Sequence, residues 1–497
     1  MQLQKRDQCA VAKRALRRTG RDSLATVLPD HNPHGCLPGR STGHAVKRNK
    51  TLVLFRYDWD RIAFRGLTRD WPQLHAGFDL LRFPNNARLA WFDMERFSRL
   101  AALRARLQGA SAVASNHEQF GALCAALVAE QTGWPGTPVE AVLACQHKLF
   151  ARQVLEHVAP EANIPFRRLE ADYAADIPRD IGYPVFVKPV KAAFSVLART
   201  VHSRQALYEH TRFDRHELWI IQRLVQPFEA VVRKRLPEAG TAHSLMLEAC
   251  LQGRQYCLDG YCFDGRVRRL GIVDAVMYPG TNAFMRWDYP SRLPAEIHDR
   301  AEAIAQLFLD AVGFSHGFFN MEFVFEEQTG QLKVIEFNPR LAAQFSDLYA
   351  RVDGRNLHEM TLALSHGVDP ATLPTREPTA ACASSFVYRS FDPDARVAMP
   401  TAAARRTFRD AFPDALLLQF PKSRTQVQRD FKWLGDYRFG IVQLGGAGPA
   451  DLEERCAEAS KLLGWASPHN EQVAELPPVT ERADAWSTAM GTENATQ

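Results

Sequence analysis

The stretch Phe318–Arg340, FFNMEFVFEEQTGQLKVIEFNPR, is the most informative part of this chain of 497 residues. Gln328-Thr329-Gly330 is a turn signal, and apolar and polar residues alternate on both sides of it, which predicts a β-hairpin. A hairpin centred on Thr329 places residues of like character opposite one another. These pairs are Met321 with Phe337, Phe323 with Ile335, Glu322 with Glu336, and Asn320 with Asn338.

The polar side of this hairpin carries an unusual pair, because like charges that face each other across neighbouring strands repel. A hard cation between the carboxylates would make the arrangement favourable, and Mg²⁺ prefers oxygen ligands from few carboxylates and from phosphates. We therefore predict that Glu322, Glu336 and Asn338 bind Mg²⁺, with Mn²⁺ as an alternative ion. Arg340 lies just beyond them, where it can hold a carboxylate or a developing phosphate charge. The competing interpretation is a solvent-facing hairpin whose polar side happens to be acidic.

Two lysines upstream of the hairpin complete a candidate phosphate site. Lys188 lies near the end of a predicted strand, Tyr183–Pro189, and the segment that follows it leads to Ser195. An ammonium that leaves a strand ahead of small residues can surround phosphate together with backbone N–H groups. Lys148 lies near the start of a predicted helix, Gln146–Val158. Taken alone, each lysine fits a surface position better, but their order and spacing relative to the hairpin favour the phosphate site.

The segment Met246–Tyr256, MLEACLQGRQY, is a candidate nucleotide linker. An apolar strand that leads into Gly253 can supply a backbone against which adenine stacks. In that arrangement Glu248 and Gln255 could contact adenine and ribose. By itself this motif is weak.

Composition excludes several classes of protein. Hydrophobic residues make up 46% of the chain and charged residues 24%, as in ordinary globular proteins, and no apolar run is long enough to span a bilayer. The nine cysteines form no CxxC pair, which favours buried thiols and a cytoplasmic location.

Residues 1–50 contain 11 Lys or Arg and 3 Asp or Glu, whereas the whole chain has a net charge of +5. The basic charge is therefore local and does not indicate nucleic-acid binding; a transit peptide is the less favoured interpretation of this segment.

The alternation of predicted strands and helices divides the chain into five parts. We expect a basic, disordered extension over 1–50, a parallel α/β lobe over 51–140, a central domain over 141–375, a separate C-terminal α+β domain over 376–475, and a flexible tail over 476–497. The fold class expected from this order is mixed, α/β and α+β.

Together, the two lysines, the Glu…Gly linker and the VIEFNPR segment resemble the ATP-grasp superfamily, especially its branch of biotin carboxylases and L-amino-acid ligases. The resemblance covers roughly residues 51–370. It implies an ATP-grasp fold with two α+β subdomains that clasp ATP and a C-terminal lid. It also implies a set of site residues. Lys148, Lys188 and Ser195 would contact the phosphates, Glu248, Ala249, Cys250, Leu251 and Gln255 would bind the nucleoside, Glu322, Glu336 and Asn338 would bind Mg²⁺, and Arg340 and Lys188 would act in catalysis.

This sequence departs from the superfamily pattern in two places that matter for ATP. The loop after Lys188 is Val-Lys-Ala-Ala-Phe-Ser instead of a glycine-rich cover, which implies a stiffer phosphate loop. Gln255 stands where an acidic residue usually meets the ribose, although glutamine can still hydrogen-bond hydroxyl groups.

The resemblance implies an ATP-dependent, ADP-forming ligase that joins a small carboxylate to an amine through an acyl-phosphate. The loop Met277–Pro294 would face the substrates, with Trp287 in a pocket wall and Arg286 as a carboxylate contact. A homodimer would suit such a ligase, and no membrane partner is expected. Two alternatives stay open: a biotin-carboxylase-like enzyme that needs a separate biotin carrier, and a nucleotide-binding regulatory protein without turnover.

Overall fold

The first sheet of the chain is small and parallel. Its strands are β1 (Lys50–Leu54), β2 (Gln73–Ala76) and β3 (Ala110–Ala114), in the order β2-β1-β3, and both pairings are parallel. Four of the five β1 residues are buried, as expected for a parallel strand covered on both faces. The predicted parallel lobe is confirmed.

The computed structural model describes residues 49–78, 91–169, 177–192, 197–213, 215–394 and 396–470. Nearly all of the predicted N-terminal extension, the whole predicted tail, and Ser195 lie outside these residues. None of the described helices is long and apolar enough to cross a membrane.

Two further sheets are antiparallel. The first, of order β4-β7-β5-β6, consists of β4 (Phe166–Arg168), β5 (Val185–Pro189), β6 (Arg199–Val201) and β7 (Leu245–Ala249). The second, called here the large sheet, has the order β12-β11-β8-β9-β10-β13-β15-β14. Its strands are β8 (Arg254–Phe263), β9 (Arg266–Met277), β10 (Phe284–Tyr289), β11 (Gly317–Glu326), β12 (Gln331–Asn338), β13 (Cys382–Ser390), β14 (Leu416–Gln419) and β15 (Tyr437–Gly446).

The helices of the described residues follow in chain order. They are α1 (Asp58–Leu67), α2 (Met94–Leu107), α3 (Gly121–Thr132), α4 (Val139–Gln146), α5 (Lys148–Val158), α6 (Arg204–Thr211), α7 (Arg215–Arg235), α8 (Ala295–Ala311), α9 (Ser346–Val352), α10 (Leu357–Ser365), α11 (Ala402–Ala411), α12 (Arg424–Leu434) and α13 (Pro449–Leu463). Short 3₁₀ turns occur at Pro160–Ala162, Pro237–Ala239, Ala343–Phe345, Pro370–Thr372 and Pro468–Asn470.

The prediction of a separate C-terminal domain is wrong for the sheet. Strand β13 pairs with β10 along Arg286–Tyr289, and β15 and β14 then continue the same ladder. Pairing with β13 covers the backbone edge that β10 would otherwise expose. The C-terminal strands therefore extend the large sheet instead of forming a sheet of their own.

The predicted hairpin forms from β11 and β12, and its register is confirmed at the end that carries Glu322 and Glu336. Asn320 opposes Asn338, Met321 opposes Phe337 and Glu322 opposes Glu336. The predicted pair of Phe323 with Ile335 is wrong, because a bulge after Glu322 places Phe323 opposite Val334. A bulge adds one residue to one strand, so Ile335 is the extra residue of β12.

The connection from β7 to β8 joins the two antiparallel sheets. It contains Gly253, whose φ of +109° is rarely adopted by residues with a side chain. A Cβ atom there would lie 2.5 Å from the carbonyl oxygen of Phe325. A glycine is therefore required where the linker passes the hairpin.

Candidate active site

The acidic pair lies on the face of the large sheet that is called here the site face. Asn338 Nδ2 lies 3.3 Å from oxygens of Glu322, Glu336 and Asn320. Asn338 and Asn320 are buried, and both glutamates are partly exposed. The amide therefore donates toward the carboxylates, which leaves its own oxygen as an acceptor. The competing interpretation of a freely solvated acidic hairpin does not fit this packing.

The two carboxylates have opposite electrostatic surroundings. Burial and the neighbouring Glu336 raise the pKa of Glu322 above its usual value. Burial would also raise the pKa of Glu336, but the Lys148 and Lys188 ammonium groups outweigh it and lower that pKa. Glu322, Glu336 and Asn338 are called here the acidic row. Its cationic neighbours favour the ionised form of Glu336, whereas the ionised form of Glu322 is disfavoured.

Lys148 brings three segments together at this row. Its Nζ lies 3.0 Å from Glu336 Oε2 and donates to the carbonyl of Ala192 at 3.1 Å. Its backbone N–H donates to Val190 just after β5, so the start of α5 is fixed against the end of the strand that carries Lys188. The predicted helix thus begins at Lys148, after its cap residue His147.

Lys188 is held on the neighbouring sheet by a buried ion pair. Its Nζ lies 2.8 Å from Glu248 Oε2, and both side chains are about 5% exposed or less. Burial lowers the pKa of Lys188 to about 8, although Glu248 opposes this shift. Glu248 is therefore a structural partner of Lys188, and its contact with adenine stays a prediction.

Arg152 on α5 connects the two sheets. Its Nε donates to Glu248 at 2.6 Å, and its two terminal nitrogens donate to the carbonyls of Val334 and Ile335 at 2.6 and 2.7 Å. Those carbonyls belong to the bulged part of β12. A planar guanidinium can satisfy a carboxylate and two carbonyls at once, so Arg152 stabilises the bulge that aligns Glu336.

The candidate linker lies between the two sheets, as the resemblance implies. Ala249 is exposed, and Cys250 and Leu251 are half-buried, so backbone groups of this segment are accessible. Gln255 donates to Glu322 Oε2 at 2.8 Å. This contact brings Gln255 into the acidic row, although it was predicted to reach the ribose.

Arg340 reaches across to the N-terminal lobe. Its Nη2 lies 2.6 Å from Glu118 Oε2, and its Nε is buried without a hydrogen-bond partner among the described residues. Glu118 is anchored through its backbone, which accepts from Gln146 at 2.8 Å and donates to the Tyr57 hydroxyl at 3.3 Å. A cavity of about 80 Å³ adjoins Arg340 and the end of β3.

A second polar layer supports the acidic row from behind. Asn320 Nδ2 donates to Asp259 Oδ1 at 2.9 Å, and the Tyr349 hydroxyl donates to Asp259 Oδ2 at 3.0 Å. Burial raises the pKa of Asp259 to about 7. The carboxyl group of Asp259 fixes the amide of Asn320, whose oxygen in turn accepts from Asn338.

The two predicted substrate residues lie on opposite faces of the large sheet. Cys257 pairs with Glu322 and Val273 pairs with Cys257, so both lie on the site face. Ala275, two residues after Val273 on β9, lies on the same face. Trp287 opposes Ala275 and therefore also points to the site face. The adjacent Arg286 therefore points to the other face. There it lies 2.9 Å from Asp288 and 3.6 Å from Glu453, so the structure does not bring it to the acidic row.

Sequence reasoning missed four residues of the site: Glu118, Arg152, Lys191 and Asp259. Lys191 is buried, its Nζ lies 4.8 Å from the centre of the Phe228 ring, and burial lowers its pKa to about 7. Two of the four had a signal in the sequence. Lys191 is a lysine three residues after Lys188, and Asp259 is a charged residue inside a strand-like segment. Glu118 and Arg152 belong to ordinary helix-like stretches and gave no such signal.

The residues of the acidic row fit a hard divalent cation. Two opposed carboxylates and an amide oxygen are the ligand types that Mg²⁺ uses when phosphate oxygens complete its coordination. A bound cation would favour the ionised form of Glu322, which burial and Glu336 disfavour. Within the described part of the chain, no group of three or more His, Cys, Asp or Glu could hold a metal by itself.

Comparison with known proteins identifies the fold. A family model described as "ATP-grasp domain" matches residues 181–347, which include Lys188, the linker and the hairpin. No curated protein sequence is significantly similar to the chain.

Solved structures extend the similarity beyond this domain. L-amino acid ligase from Bacillus licheniformis has a TM-score of 0.60 at 15% identity, covering 84% of this chain and 98% of that one. Biotin carboxylase from Campylobacter jejuni has a TM-score of 0.54 at 16% identity, covering 84% and 92%. N5-carboxyaminoimidazole ribonucleotide synthetase from Thermus thermophilus has a TM-score of 0.55 at 16% identity, covering 86% and 99%. Residues 181–347 thus match an ATP-grasp domain, and the chain shares its fold with these solved structures.

Proposed function

We propose that this protein is an ATP-dependent, ADP-forming ligase that joins a carboxylate to an amine, of the acid–amino-acid ligase type. One observation carries the proposal: Glu322 and Glu336 face each other beside Lys148, with Lys188 and Arg340 nearby. This set supplies cationic contacts for phosphates, oxygen ligands for a divalent cation, and a guanidinium for a carboxylate. The similar structures include proteins solved with ATP or ADP, which supports a nucleotide between the two antiparallel sheets.

In the proposed reaction, a substrate carboxylate oxygen attacks the γ-phosphorus of ATP. The bond from that phosphorus to the β-phosphate oxygen breaks, which yields ADP and an acyl-phosphate. The nitrogen of the amine then attacks the acyl carbon, phosphate leaves with the C–O electron pair, and the nitrogen loses a proton. Catalysis of such transfers depends mainly on positioning and on electrostatic stabilisation.

Each basic side chain has a distinct part in this scheme. Lys148 and Lys188 lie beside Glu336 and Glu248, and both would attract phosphate oxygens into the space between the sheets. Glu322, Glu336 and Asn338 would hold Mg²⁺, which neutralises phosphate charge when bound. Arg340 would hold the carboxylate of the acid substrate. It would use the guanidinium nitrogens that do not contact Glu118, including the buried Nε.

The proposal is tested by ADP and phosphate release with Mg-ATP. Wild-type protein and Glu336→Gln are assayed against pools of amino acids and small carboxylates, each with and without amines. Hydroxylamine in place of the amine would convert an acyl-phosphate into a stable hydroxamate. We expect turnover that needs both a carboxylate and an amine, formation of a hydroxamate, and loss of both in Glu336→Gln.

Other outcomes would point to the alternative functions. ATP hydrolysis that depends on bicarbonate, without hydroxamate from any organic acid, would favour a biotin-carboxylase-like enzyme. Tight ATP binding with no turnover in any pool would contradict the ligase and favour a nucleotide-binding regulatory protein.

A further inference from the structure

The site face of the large sheet carries a second pair of like charges, at the end opposite the acidic row. Arg389 on β13 and Arg438 on β15 are direct partners in the register of these strands. Two guanidinium groups placed opposite each other on one face repel. As with Glu322 and Glu336, such a pair needs compensation by neighbouring groups or by a ligand of opposite charge.

Protein carboxylates compensate only part of this positive charge. Arg389 Nη1 lies 2.5 Å from Asp436, and Lys422 forms an ion pair with Asp430. Within the described residues, the Arg438 guanidinium lies over two aromatic rings. Its guanidinium carbon lies 4.5 Å from the centre of the Phe420 ring and 6.0 Å from that of Trp59. Burial and the neighbouring Arg389 lower the pKa of Arg438 to about 10, and the carboxylates of Asp436, Asp430 and Asp58 oppose this shift only in part.

This basic group is connected to the candidate active site by the N-terminal lobe. Trp59 and Phe420 both pack against the core that covers the site face. The ring of Trp59 lies 6.0 Å from that of Tyr57, and the Tyr57 hydroxyl contacts the backbone of Glu118, the partner of Arg340. One continuous row of contacts therefore leads from Arg340 to Arg438.

We propose that Arg438, between Trp59 and Phe420, binds an anionic group of one of the two molecules that the enzyme joins. The shared chemistry is a carboxylate or a phosphate, because a guanidinium presents paired donors to either one. The group belongs either to the acid, as a second anionic group, or to the amine, as in an amino acid with a free carboxylate. This inference rests on the proposed function.

The first test needs no turnover. Thermal unfolding of the full chain is measured in sodium sulfate and in sodium chloride at equal ionic strength, for wild type, Arg438→Gln and Arg268→Gln. Arg268 is an exposed arginine on β9 of the same sheet and is the matched control. Sulfate that binds at the proposed ATP phosphate site would raise the melting temperature of all three proteins by the same amount. The result is therefore the difference between the proteins in their sulfate-induced rise. We expect a smaller sulfate-induced rise of the melting temperature in Arg438→Gln than in the other two.

The second test distinguishes the two sources of the anion. With hydroxylamine as the nucleophile, a rise in KM for the acid of roughly tenfold or more in Arg438→Gln would assign the anion to the acid. A similar rise confined to the amine in the complete reaction would assign it to the amine. Arg438→Lys keeps the charge without the planar donors, so we expect a smaller rise; this variant replaces the glutamine variant if the latter does not fold.

A sulfate response and KM values of Arg438→Gln equal to those of Arg268→Gln would overturn the inference. If the proposed function is wrong, the wild-type protein forms no hydroxamate. The sulfate comparison would still show whether Arg438 binds an anion.

Discussion

At the scale of single residues, the ion pair of Arg340 with Glu118 is the contact that would position Arg340 at the proposed acyl site. Glu118→Gln leaves a buried guanidinium with weaker compensation, so we expect a loss of about 1–3 kcal/mol in the free energy of unfolding. We also expect KM for the acid to change, because Arg340 would be free to shift. Urea unfolding and steady-state kinetics measure the two effects.

The matched control for this prediction is Glu140→Gln. Glu140 forms an ion pair with Arg235, and its side chain is 44% exposed. Exposed pairs contribute little, so the control should lose no more than about 0.5 kcal/mol. Equal effects of the two substitutions would show that the Arg340 pair has no special role.

Asp259 predicts a pH dependence of stability. Its pKa is raised by burial from 3.8 to about 7. A carboxyl group with a raised folded pKa stabilises the fold below its unfolded pKa, and this contribution is lost as the pH rises through the folded value. Asp259→Asn stays neutral and can keep both hydrogen bonds. Relative to wild type, its free energy of unfolding should therefore increase by roughly 1–3 kcal/mol between pH 5 and pH 8.

Urea unfolding at both pH values, without divalent cations, tests this expectation. The other buried carboxyl groups are the same in both proteins, so their contributions largely cancel in the difference. Asp299→Asn removes an exposed aspartate of α8 that is 73% exposed and should show no comparable change with pH. A constant gap between wild type and Asp259→Asn would refute the assignment.

At the scale of elements, the hairpin shows how far a sequence pattern can lead. Alternation with period two correctly predicted the register from Asn320 to Glu322, because one side had to be apolar. It could not predict the bulge at Ile335, since that residue fits an apolar position of the alternating pattern. The bulge depends on Arg152, which lies far away in the chain and donates to carbonyls that carry no sequence signal.

Arg152 provides the test at this scale. Arg152→Lys keeps the charge but cannot reach Glu248 and two carbonyls of β12 at the same time. We expect a loss of about 2–4 kcal/mol in the free energy of unfolding and faster hydrogen exchange at the bulge. Arg167→Lys alters an exposed pair with Asp180 and should change stability by no more than about 0.5 kcal/mol. Unchanged exchange in β12 would refute the role of Arg152.

At the scale of the whole molecule, the order of strands and helices along the chain predicted the parallel lobe, but not how the C-terminal strands attach. A local pattern identifies β13 and β15 as strands, but it contains no information on which strand they pair with. The partner is β10, nearly 100 residues upstream of β13. Such a pairing depends on the shape and the apolar face of the assembled sheet.

The continuous sheet makes a prediction about cleavage of the chain. Residues 374–378 are exposed between α10 and β13, so a protease site inserted after Thr375 should be accessible. After cleavage, the two fragments should stay together without denaturant, because the β10–β13 ladder and the shared core of Trp287, Leu418 and Ile441 hold them. Size-exclusion chromatography should show one species of unchanged elution volume, and unfolding in urea should stay a single transition. Arg286→Pro removes a backbone hydrogen-bond donor from β10. Because proline is not tolerated in a central strand, this variant should weaken the association of the fragments.

Fragments of the cleaved wild-type chain that separate in native buffer would contradict the prediction. They would show that the C-terminal part is an independent domain.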